Sequence, residues 1–331
     1  GQAAHAVGLD TFASLAAILR LLEDAGYATA GTLPDAAALA RMLAEAAPVP
    51  FLDAAGYRAL FATLPESLRA RVLAVWGAPE GGFALRHLRV GRVLLAIQPD
   101  RGHRLDRRAA YHDPDTPPGH AYIAFYLWLR AIERVDALVH LGTHGTLEWL
   151  PGKAAAPAPD CAGPALLRGL PVVYPFIVNN PGEAAAAKRR LGAVTIGHLT
   201  PPLAPAGLSG EAAALERLID EYAAADGLDR RRTALLRGDI LARAEAAGLL
   251  AETKARDLPD DDALARLDAY LCDVKDMQVR QGLHVFATRP SPAARAALLA
   301  ACPALSPARL DACAGAEAAA LLTALDGRFV P

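Results

Sequence analysis

The sequence predicts an α/β fold, namely a mostly parallel sheet with covering helices, flanked by helical regions. Two observations support this prediction. In the middle of the chain, short apolar segments alternate with helical segments, which is the pattern of a parallel sheet covered by helices. On either side, apolar residues recur mainly at helical spacing. We therefore expect an N-terminal helical region at 1–85, an α/β core that carries the active-site loops at 86–209, and a C-terminal helical region at 210–331.

The N-terminal region has three segments with apolar residues at helical spacing. Asp10 or Thr11 is a candidate cap for the first segment, and Pro34 suits the first turn of the second. The third segment stops at a glycine, a common helix end. The predicted helices are 11–27, 33–46 and 64–77.

The central region alternates between strand-like and helical segments. Pro175 lies inside one of the strand-like segments, so that strand needs an edge position or a bulge there. The predicted strands are 91–97, 136–141, 171–178 and 193–199, and the predicted helices between them are 120–133, 164–170 and 181–192.

The C-terminal region is predicted to be helical, with one short strand at 283–286. Its Ala-rich segments have the composition of a solvated scaffold. The predicted helices are 210–225, 229–248, 260–281, 291–301 and 306–324.

The composition excludes several classes of protein. The chain has 331 residues, of which 53% are hydrophobic, so it can bury a core. Its net charge of −2 gives no general attraction to nucleic acid or to anionic membranes. No apolar run is long enough for a membrane span, and no signal peptide is visible. The four cysteines lie far apart and form no Cys-x-x-Cys pair, which argues against disulfides and cysteine zinc sites and favours a cytoplasmic setting.

Three polar clusters follow predicted strands, at 98–120, 142–153 and 179–183. In open parallel sheets, ligands bind beyond the carboxyl ends of the strands. If these strands are parallel neighbours, the three clusters share one cleft. The first cluster contains the charged or ionisable side chains of Arg101, His103, Arg104, Asp106, His112 and Asp113.

The second cluster, taken from here on with the strand end before it as "HLGTHGTLEWLPGK" at 140–153, ends in Gly-Lys but is not a P-loop. A P-loop needs a glycine five residues before the Gly-Lys pair and a hydroxyl after it. Leu147 and Ala154 occupy those two positions. If ATP is used, another polypeptide is expected to handle it.

His140, His144 and Glu148 are spaced four residues apart in the same cluster. Imidazole and carboxylate ligands suit a divalent first-row metal such as Co²⁺ or Zn²⁺. Alternatively, His140 is a buried histidine at a strand end, hydrogen-bonded to backbone. Glu148 is either a first-turn glutamate favoured by the helix dipole, or a proton acceptor or metal carboxylate that Trp149 partly shields from water.

The third cluster has a mainly structural interpretation. Asn180 and Glu183 form a capping box around Pro181, which leaves Asn179 as a candidate ligand contact. Further along the same predicted helix, three consecutive cations either form a solvated face or meet acidic groups. These cations are Lys188, Arg189 and Arg190.

These blocks resemble the CobN family, the large subunits of aerobic cobaltochelatase, and the related H-type large subunits of magnesium chelatase. The blocks are "HLGTHGTLEWLPGK", "VVYPFIVNNPGEAAAAKRRLGAVTIGHLTPPL" and "QPDRGHRLDRRAAYHD". The match runs from about 7–10 to 282–286, most of the chain, whereas the family's large subunits are much longer. The chain therefore resembles an internal piece or a shortened form. It departs from the family pattern after Lys153 and at Ala287 and Thr288, which affects the expected local loop geometry.

The resemblance implies a ligase that forms nitrogen–metal bonds by inserting Co²⁺ into hydrogenobyrinic acid a,c-diamide in cobalamin biosynthesis. It also implies that an AAA+ partner (CobS-like) hydrolyses ATP with Mg²⁺, and that a second partner (CobT-like) contributes a metal-binding domain. The Trp149-Leu150 pair and the loop with Arg101 and His103 are more similar to the cobalt branch than to the magnesium branch. The open alternatives are a magnesium chelatase H-type subunit, a non-catalytic tetrapyrrole- or metal-binding protein, and a stand-alone metallohydrolase.

Metal insertion needs a cavity for a flat ring, a base for the ring N–H protons and ligands that strip water from the metal. We predict Glu148 as the base or a transient metal carboxylate, with His144 as a second catalytic residue. Predicted apolar walls are Trp149, Tyr174 and Phe176. Predicted substrate-binding residues are Gln98, Arg101, Arg104, Thr143, Trp149, Lys153 and Asn179. Predicted transient metal contacts are His140, His144, Glu148, His112 and His120.

Overall fold

A computed structural model describes most of the chain as two compact units. The described residues are 8–29, 31–102, 115–142, 145–177, 181–199, 201, 203–205, 210–225, 229–276, 278–280 and 283–326. One unit comprises the described residues of Gly1–Pro201 and Gly282–Pro331, and the other those of Pro202–Gln281. Helices predominate and a parallel sheet is present, so the predicted α/β class is confirmed.

The N-terminal part of the first unit is mainly helical, as predicted. Asp10, Asp35 and Asp53 cap its first three helices, each accepting a hydrogen bond from a backbone N–H three residues further on. Two short strands, paired antiparallel, were not predicted because the first is only four residues long and contains a proline. The elements are α1 (Thr11–Asp24), α2 (Ala36–Ala40) continued by a π-helical turn (Arg41–Glu45), β1 (Val49–Leu52), α3 (Ala54–Phe61), α4 (Glu66–Trp76) and β2 (Phe83–Leu85).

The strand predicted at 91–97 exists, but it does not belong to the parallel sheet. β3 (His87–Val90) and β4 (Val93–Ala96) form an antiparallel hairpin. Gly91 in the two-residue turn has φ +59°, a conformation that such hairpin turns require. A short apolar run fits a hairpin strand as well as a parallel core strand, so periodicity could not decide how it pairs.

The parallel sheet has three strands in the order β5-β6-β7. Its strands are β5 (Leu138–Val139), β6 (Val172–Ile177) and β7 (Val194–His198). Helix α6 (Ala162–Leu167) lies in the connection between the first two strands, and α7 (Pro181–Leu191) lies in the connection between the last two. This is the alternation that the sequence predicted.

Pro175 lies in the middle strand of this sheet, yet it disrupts no ladder bond. The carbonyls of Pro171 and Val173 accept from the N–H groups of Leu138 and His140, at 2.9 and 2.8 Å. Odd-numbered residues of β6 therefore face β5, and the missing N–H of Pro175 faces the same side. Because β5 has already ended at that level, β6 is locally an edge strand, as the proline predicted.

Helix α5 (His120–Ala131) is the centre of the main hydrophobic core. Every residue from Tyr122 to Leu129 is buried, as expected of a helix that is apolar on all sides. The N-terminal helices contribute Tyr57 and Leu68 to the same core, and the sheet contributes Val172. Helix α5 therefore connects the N-terminal helices to the parallel sheet.

Of the two described C-terminal helices of the first unit, the second packs against α1 and the sheet. The two helices are α12 (Pro292–Ala301) and α13 (Pro307–Leu325). Leu321 of α13 shares a buried cluster with Ile18 of α1 and Ile196 of β7. These contacts do not follow the boundaries of the three predicted regions. Helices α12 and α13 were placed in one C-terminal region with the helices before them, whereas they belong to the first unit.

The second unit is a small helical assembly with its own core. Strands β8 (Leu203–Pro205) and β9 (Gln278–Arg280) pair antiparallel, and β9 takes residues predicted to end the helix at 260–281. Leu215, Ile240 and Leu267 are buried in its core. Its elements are β8 (Leu203–Pro205), α8 (Gly210–Ala225), α9 (Arg230–Ala246), α10 (Leu249–Glu252), α11 (Asp260–Asp276) and β9 (Gln278–Arg280). Across the described helices of both units, none combines the length and the apolar character needed to cross a membrane.

The strand predicted at 283–286 is wrong, because His284 makes only an isolated bridge with Leu9. The segment is held instead by Glu317, which is 4% exposed on α13. The Glu317 carboxylate lies 3.1 Å from His284 Nε2 and accepts from the N–H groups of Leu199 and Ala287, at 3.1 and 2.6 Å. One buried carboxylate therefore joins three segments of the first unit.

We expect Glu317→Ala to lower the free energy of unfolding by about 3 kcal/mol or more, because it leaves several buried donors without their acceptor. Urea denaturation measures this loss. The control is Asp311→Ala on the same helix, which removes an exposed ion pair with Arg295 and should change stability little. Equal losses in the two variants would contradict the role of Glu317.

Candidate functional site

Glu148 is a fully buried carboxylate at the centre of the site. It lies on a short 3₁₀ turn, Leu147–Trp149, that follows β5, and it is 0% exposed. Its Oε1 accepts from the N–H of Gly145 at 3.1 Å, and its Oε2 accepts from the Tyr174 hydroxyl at 2.9 Å. Because a buried carboxylate is costly without such donors, these contacts fix its position.

His140 connects two tyrosines next to Glu148. Its Nδ1 lies 2.8 Å from the Tyr174 hydroxyl, and its Nε2 lies 3.1 Å from the Tyr126 hydroxyl. Burial lowers the pKa of His140 to about 4, so the ring is neutral near pH 7. The predicted strand-end histidine is therefore present, with side-chain partners for its ring in place of the predicted backbone partners.

Gln98 lies at the opposite end of these hydrogen bonds from Glu148. Its Nε2 donates to the hydroxyls of Tyr126 and Tyr122, at 2.5 and 3.1 Å. The Tyr122 hydroxyl lies 2.7 Å from Thr146 Oγ1. A continuous path of hydrogen bonds results, which we call the Gln98–Glu148 chain. Its members in order are Gln98, Tyr126, His140, Tyr174 and Glu148.

Burial keeps the tyrosines of the chain neutral. It raises the pKa of Tyr126 and of Tyr174 well above the usual value for tyrosine, and the neighbouring Glu148 raises that of Tyr174 further. Tyr174 is 1% exposed, as buried as Glu148 beside it, and its predicted contact with a ring stays a prediction.

Gly145 is required where the chain meets the turn. A Cβ atom there would lie 2.3 Å from the Tyr174 hydroxyl oxygen and 2.8 Å from Nδ1 of His140. Any larger residue would have to displace one of these two side chains. The glycine therefore lets the backbone approach the chain closely enough for its N–H to reach Glu148.

Arg190 of α7 holds the backbone of the Glu148 turn. Its guanidinium donates to four carbonyl oxygens. For the three consecutive cations at 188–190, the sequence had suggested a solvated face or contacts with acidic groups, and Arg190 does neither. The carbonyls belong to Glu148 at 2.5 Å, Leu150 at 2.6 Å, Gly152 at 3.2 Å and Lys153 at 3.2 Å. Lys188 and Arg189 are exposed on the same helix. The last carbonyls of a 3₁₀ turn have no hydrogen-bond donors within the turn, and Arg190 supplies donors for them.

Arg101 supports the same turn from another segment. It is 2% exposed and donates to the carbonyls of Trp149 at 3.1 Å and Thr116 at 2.7 Å. Three consecutive carbonyls, at 148, 149 and 150, therefore accept from one of two arginines. The described contacts of Arg101 are structural, and its predicted contact with substrate stays a prediction.

His120 is also engaged within the protein. Its Nδ1 lies 2.7 Å from the Tyr57 hydroxyl, and its Nε2 lies 2.9 Å from the carbonyl of Gly77. A metal ligand needs a free nitrogen lone pair, and this arrangement leaves none. The same holds for His140, so the metal role predicted for these two histidines does not fit the structure.

The remaining predicted residues are partly described. Trp149 is half-buried and the Lys153 side chain is exposed, so both can reach a ligand. Several others lie outside the described residues, namely Arg104, His112, Thr143, His144 and Asn179, together with the side chain of Phe176. Within the part of the chain that the structure describes, no group of three histidine, cysteine, aspartate or glutamate side chains is arranged to hold a metal.

The first two polar clusters meet, as the shared-cleft hypothesis required, although the strand before Gln98 is a hairpin strand. Gln98 comes from the first cluster, whereas His140 and Glu148 come from the second.

A cavity of about 680 Å³ lies at the beginnings of β6 and β7, and Glu148 does not line it. Its lining includes Pro171, Val172, Lys188, Arg189 and Val194.

Tyr122 and Tyr126 were not predicted to belong to the site. A signal was present, because two tyrosines four residues apart lie on one face of an otherwise apolar helix. A buried tyrosine hydroxyl needs a hydrogen-bond partner, so such a pair indicates a polar contact inside the core.

Comparison with known proteins identifies related chains. A family model described as CobN/Magnesium Chelatase matches residues 1–306. The chain is 46% identical to the aerobic cobaltochelatase subunit CobN of Pseudomonas aeruginosa, over 88% of this chain and 25% of that protein. It is 33% identical to the H-type magnesium-chelatase subunit of Chlorobaculum parvum, over 86% of this chain and 24% of that protein. It thus spans about a quarter of the length of these curated relatives.

A solved structure is similar as well. The catalytic subunit of cobaltochelatase from Mycobacterium tuberculosis superposes with a TM-score of 0.66 at 38% sequence identity. The match covers 89% of this chain and 27% of that one.

We expect Arg190→Ala to speed amide hydrogen exchange over 145–153, because it removes four hydrogen bonds to that backbone. Mass spectrometry of proteolytic peptides measures the exchange. Arg189→Ala, at the exposed neighbouring position, is the control and should leave these amides unchanged. Arg190→Lys should behave like the alanine variant, since an ammonium cannot reproduce the guanidinium fork. Equal exchange after both alanine substitutions would contradict this role.

We expect acidification from pH 7 to pH 5 to lower the stability of the chain, because folded His140 does not take up a proton in this range. An unfolded histidine protonates near pH 6.5, whereas folded His140 protonates near pH 4. Between pH 7 and pH 5 the unfolded chain gains this proton alone, so the free energy of unfolding falls by about 2 kcal/mol from this residue. Urea denaturation at both pH values should show a smaller fall for His140→Gln. A fall of the same size in the variant would show that His140 does not contribute.

Proposed function

Because the chain belongs to the CobN/magnesium chelatase family, we propose that it forms part of the large, tetrapyrrole-binding subunit of an ATP-dependent cobaltochelatase. The proposed reaction is the insertion of Co²⁺, as a substrate, into hydrogenobyrinic acid a,c-diamide in cobalamin biosynthesis. The higher identity to a cobaltochelatase subunit, 46% against 33% for a magnesium-chelatase subunit, supports the cobalt reaction.

The buried carboxylate of Glu148 is the observation that carries this proposal. Insertion breaks the ring N–H bonds, and the electron pairs stay on nitrogen to bind the metal. A base must take the protons, and Glu148 has a carboxylate held in one place by Gly145 and Tyr174. A base that is already positioned loses less entropy when the ring binds.

The proposed contacts with substrate and metal come from the polar clusters predicted at 98–120, 142–153 and 179–183. Trp149 would contact the ring, and Lys153 would pair with a peripheral carboxylate. Arg104, Thr143 and Asn179 remain proposed substrate contacts on the basis of sequence. His144 and His112 remain the proposed contacts for the incoming Co²⁺. His140 and His120 are not proposed for that role, because both nitrogens of each ring are engaged within the protein.

ATP hydrolysis is assigned to another polypeptide. Leu147 and Ala154 occupy the positions where a P-loop needs glycine and a hydroxyl. We propose that an AAA+ partner (CobS-like) hydrolyses ATP with Mg²⁺, and that a CobT-like partner supplies a metal-binding domain.

We expect Glu148→Gln to reduce cobalt insertion by about 100-fold or more, the range that a general base contributes, while ring binding is retained. The assay uses the full-length subunit with its partners. The absorbance change on cobalt insertion measures turnover, and fluorescence measures ring binding. Glu80→Gln, which changes an exposed glutamate, is the control and should be fully active.

Unchanged turnover of the Glu148→Gln subunit would overturn the proposed base. The wild-type subunit in the same assay separates the other functions. Insertion of Mg²⁺ into protoporphyrin would favour the magnesium branch, and ring binding without insertion of either metal would indicate a carrier.

A further inference from the structure

The three middle members of the Gln98–Glu148 chain can both donate and accept hydrogen bonds. Tyr126 and Tyr174 each have a hydroxyl, and neutral His140 has one donor and one acceptor nitrogen. The ends differ, because the Gln98 amide nitrogen only donates and the ionised Glu148 carboxylate only accepts. The ends therefore dictate the direction in which the protons between them point.

With Glu148 ionised, every hydrogen bond of the chain points toward the carboxylate. Tyr174 donates to Oε2 of Glu148, so its oxygen is left to accept from Nδ1–H of His140. Nε2 of His140 then carries no proton and accepts from the Tyr126 hydroxyl, whose oxygen accepts from Gln98. This order requires the Nδ1–H tautomer of His140.

With Glu148 protonated, the order reverses as far as Tyr126. The N–H of Gly145 can only donate, so Oε1 stays the acceptor and the proton rests on Oε2. Tyr174 must then accept from Glu148 and donate to Nδ1 of His140. The ring proton of His140 therefore moves to Nε2, which donates to Tyr126.

The reversed order requires the Tyr126 hydroxyl to turn its proton away from His140. The Tyr122 hydroxyl accepts from the same Gln98 Nε2 and lies 2.7 Å from Thr146 Oγ1, so it is the acceptor toward which that proton can turn. Tyr174 and His140 each keep one donor and one acceptor in both orders. The heavy atoms from His140 to Glu148 therefore need not move between the two charge states of Glu148.

We propose that Tyr174 and His140 are positioning residues of Glu148, and that the tautomer of His140 follows the protonation of that carboxylate. The coupling follows from the contacts alone, whereas its use in catalysis rests on the proposed function. In that use, a ring N–H bond breaks, its electron pair stays on nitrogen, and an O–H bond forms on Glu148. The part of the chain from His140 to Glu148 then changes order without leaving a buried donor or acceptor unmatched.

The test is the tautomer of His140 in the 331-residue chain, measured by nitrogen-15 NMR of histidine-labelled protein. The signals of His140 are identified among those of the nine histidines, because His140→Gln removes them, and substitution of His120 and of His284 identifies theirs in the same way. The wild-type chain should show the Nδ1–H form once the pH is high enough to ionise Glu148, and an Nε2–H form that persists throughout a titration to pH 9 would overturn the proposal. Glu148→Gln should show the Nε2–H form, because a glutamine that accepts from Gly145 presents its NH₂ group to Tyr174.

The matched control removes the connecting hydroxyl. With Tyr174→Phe present, replacing Glu148 by glutamine should leave the tautomer of His140 unchanged. The same tautomer in Glu148→Gln and in the wild-type chain at pH 9, or a change that persists with Tyr174→Phe, would overturn the coupling. Unaltered signals from His120 and His284 confirm that each variant is folded. The measurement uses neither cobalt nor a tetrapyrrole ring. The coupling can therefore be confirmed even if the proposed cobalt insertion is wrong, and the insertion can be confirmed even if the coupling is wrong.

Discussion

The site depends on how the protein satisfies the backbone carbonyls of one short turn. The segment from Glu148 to Lys153 is too irregular to satisfy its own carbonyl oxygens, and a buried carbonyl without a donor is costly. Arg190 and Arg101 supply the donors from two separate parts of the chain. The place of the Glu148 carboxylate is therefore fixed by α7 and by the segment after β4, and not by the turn alone.

Much of the fold could be predicted because the governing signals are local. Helices with periodic apolar residues, and the strand–helix alternation from β5 to β7, follow from the spacing of apolar residues. The hairpin pairing of β4 was missed although its partner β3 is adjacent in sequence, because a short apolar run fits a hairpin strand and a parallel core strand equally well. The antiparallel pair of β1 and β2 was missed because such short strands carry little pattern of their own.

The site was predictable in part, for a similar reason. Polar residues at strand ends indicated Gln98, His140 and Glu148 from position alone. What each residue does depends on partners far away in sequence, such as Tyr126 for His140 and the turn carbonyls for Arg190. A run of three cations gave no sign that its last member is structural, because an arginine that binds carbonyls has the same local sequence as one that faces solvent.

Pro175 also matters for how the buried end of the sheet satisfies its hydrogen bonds. Beyond the end of β5, the middle strand of the sheet has no strand neighbour on that side among the described elements. Pro175 is buried there, and a buried backbone N–H without an acceptor is costly. Because proline has no N–H, the short β5 leaves no unsatisfied donor at this position.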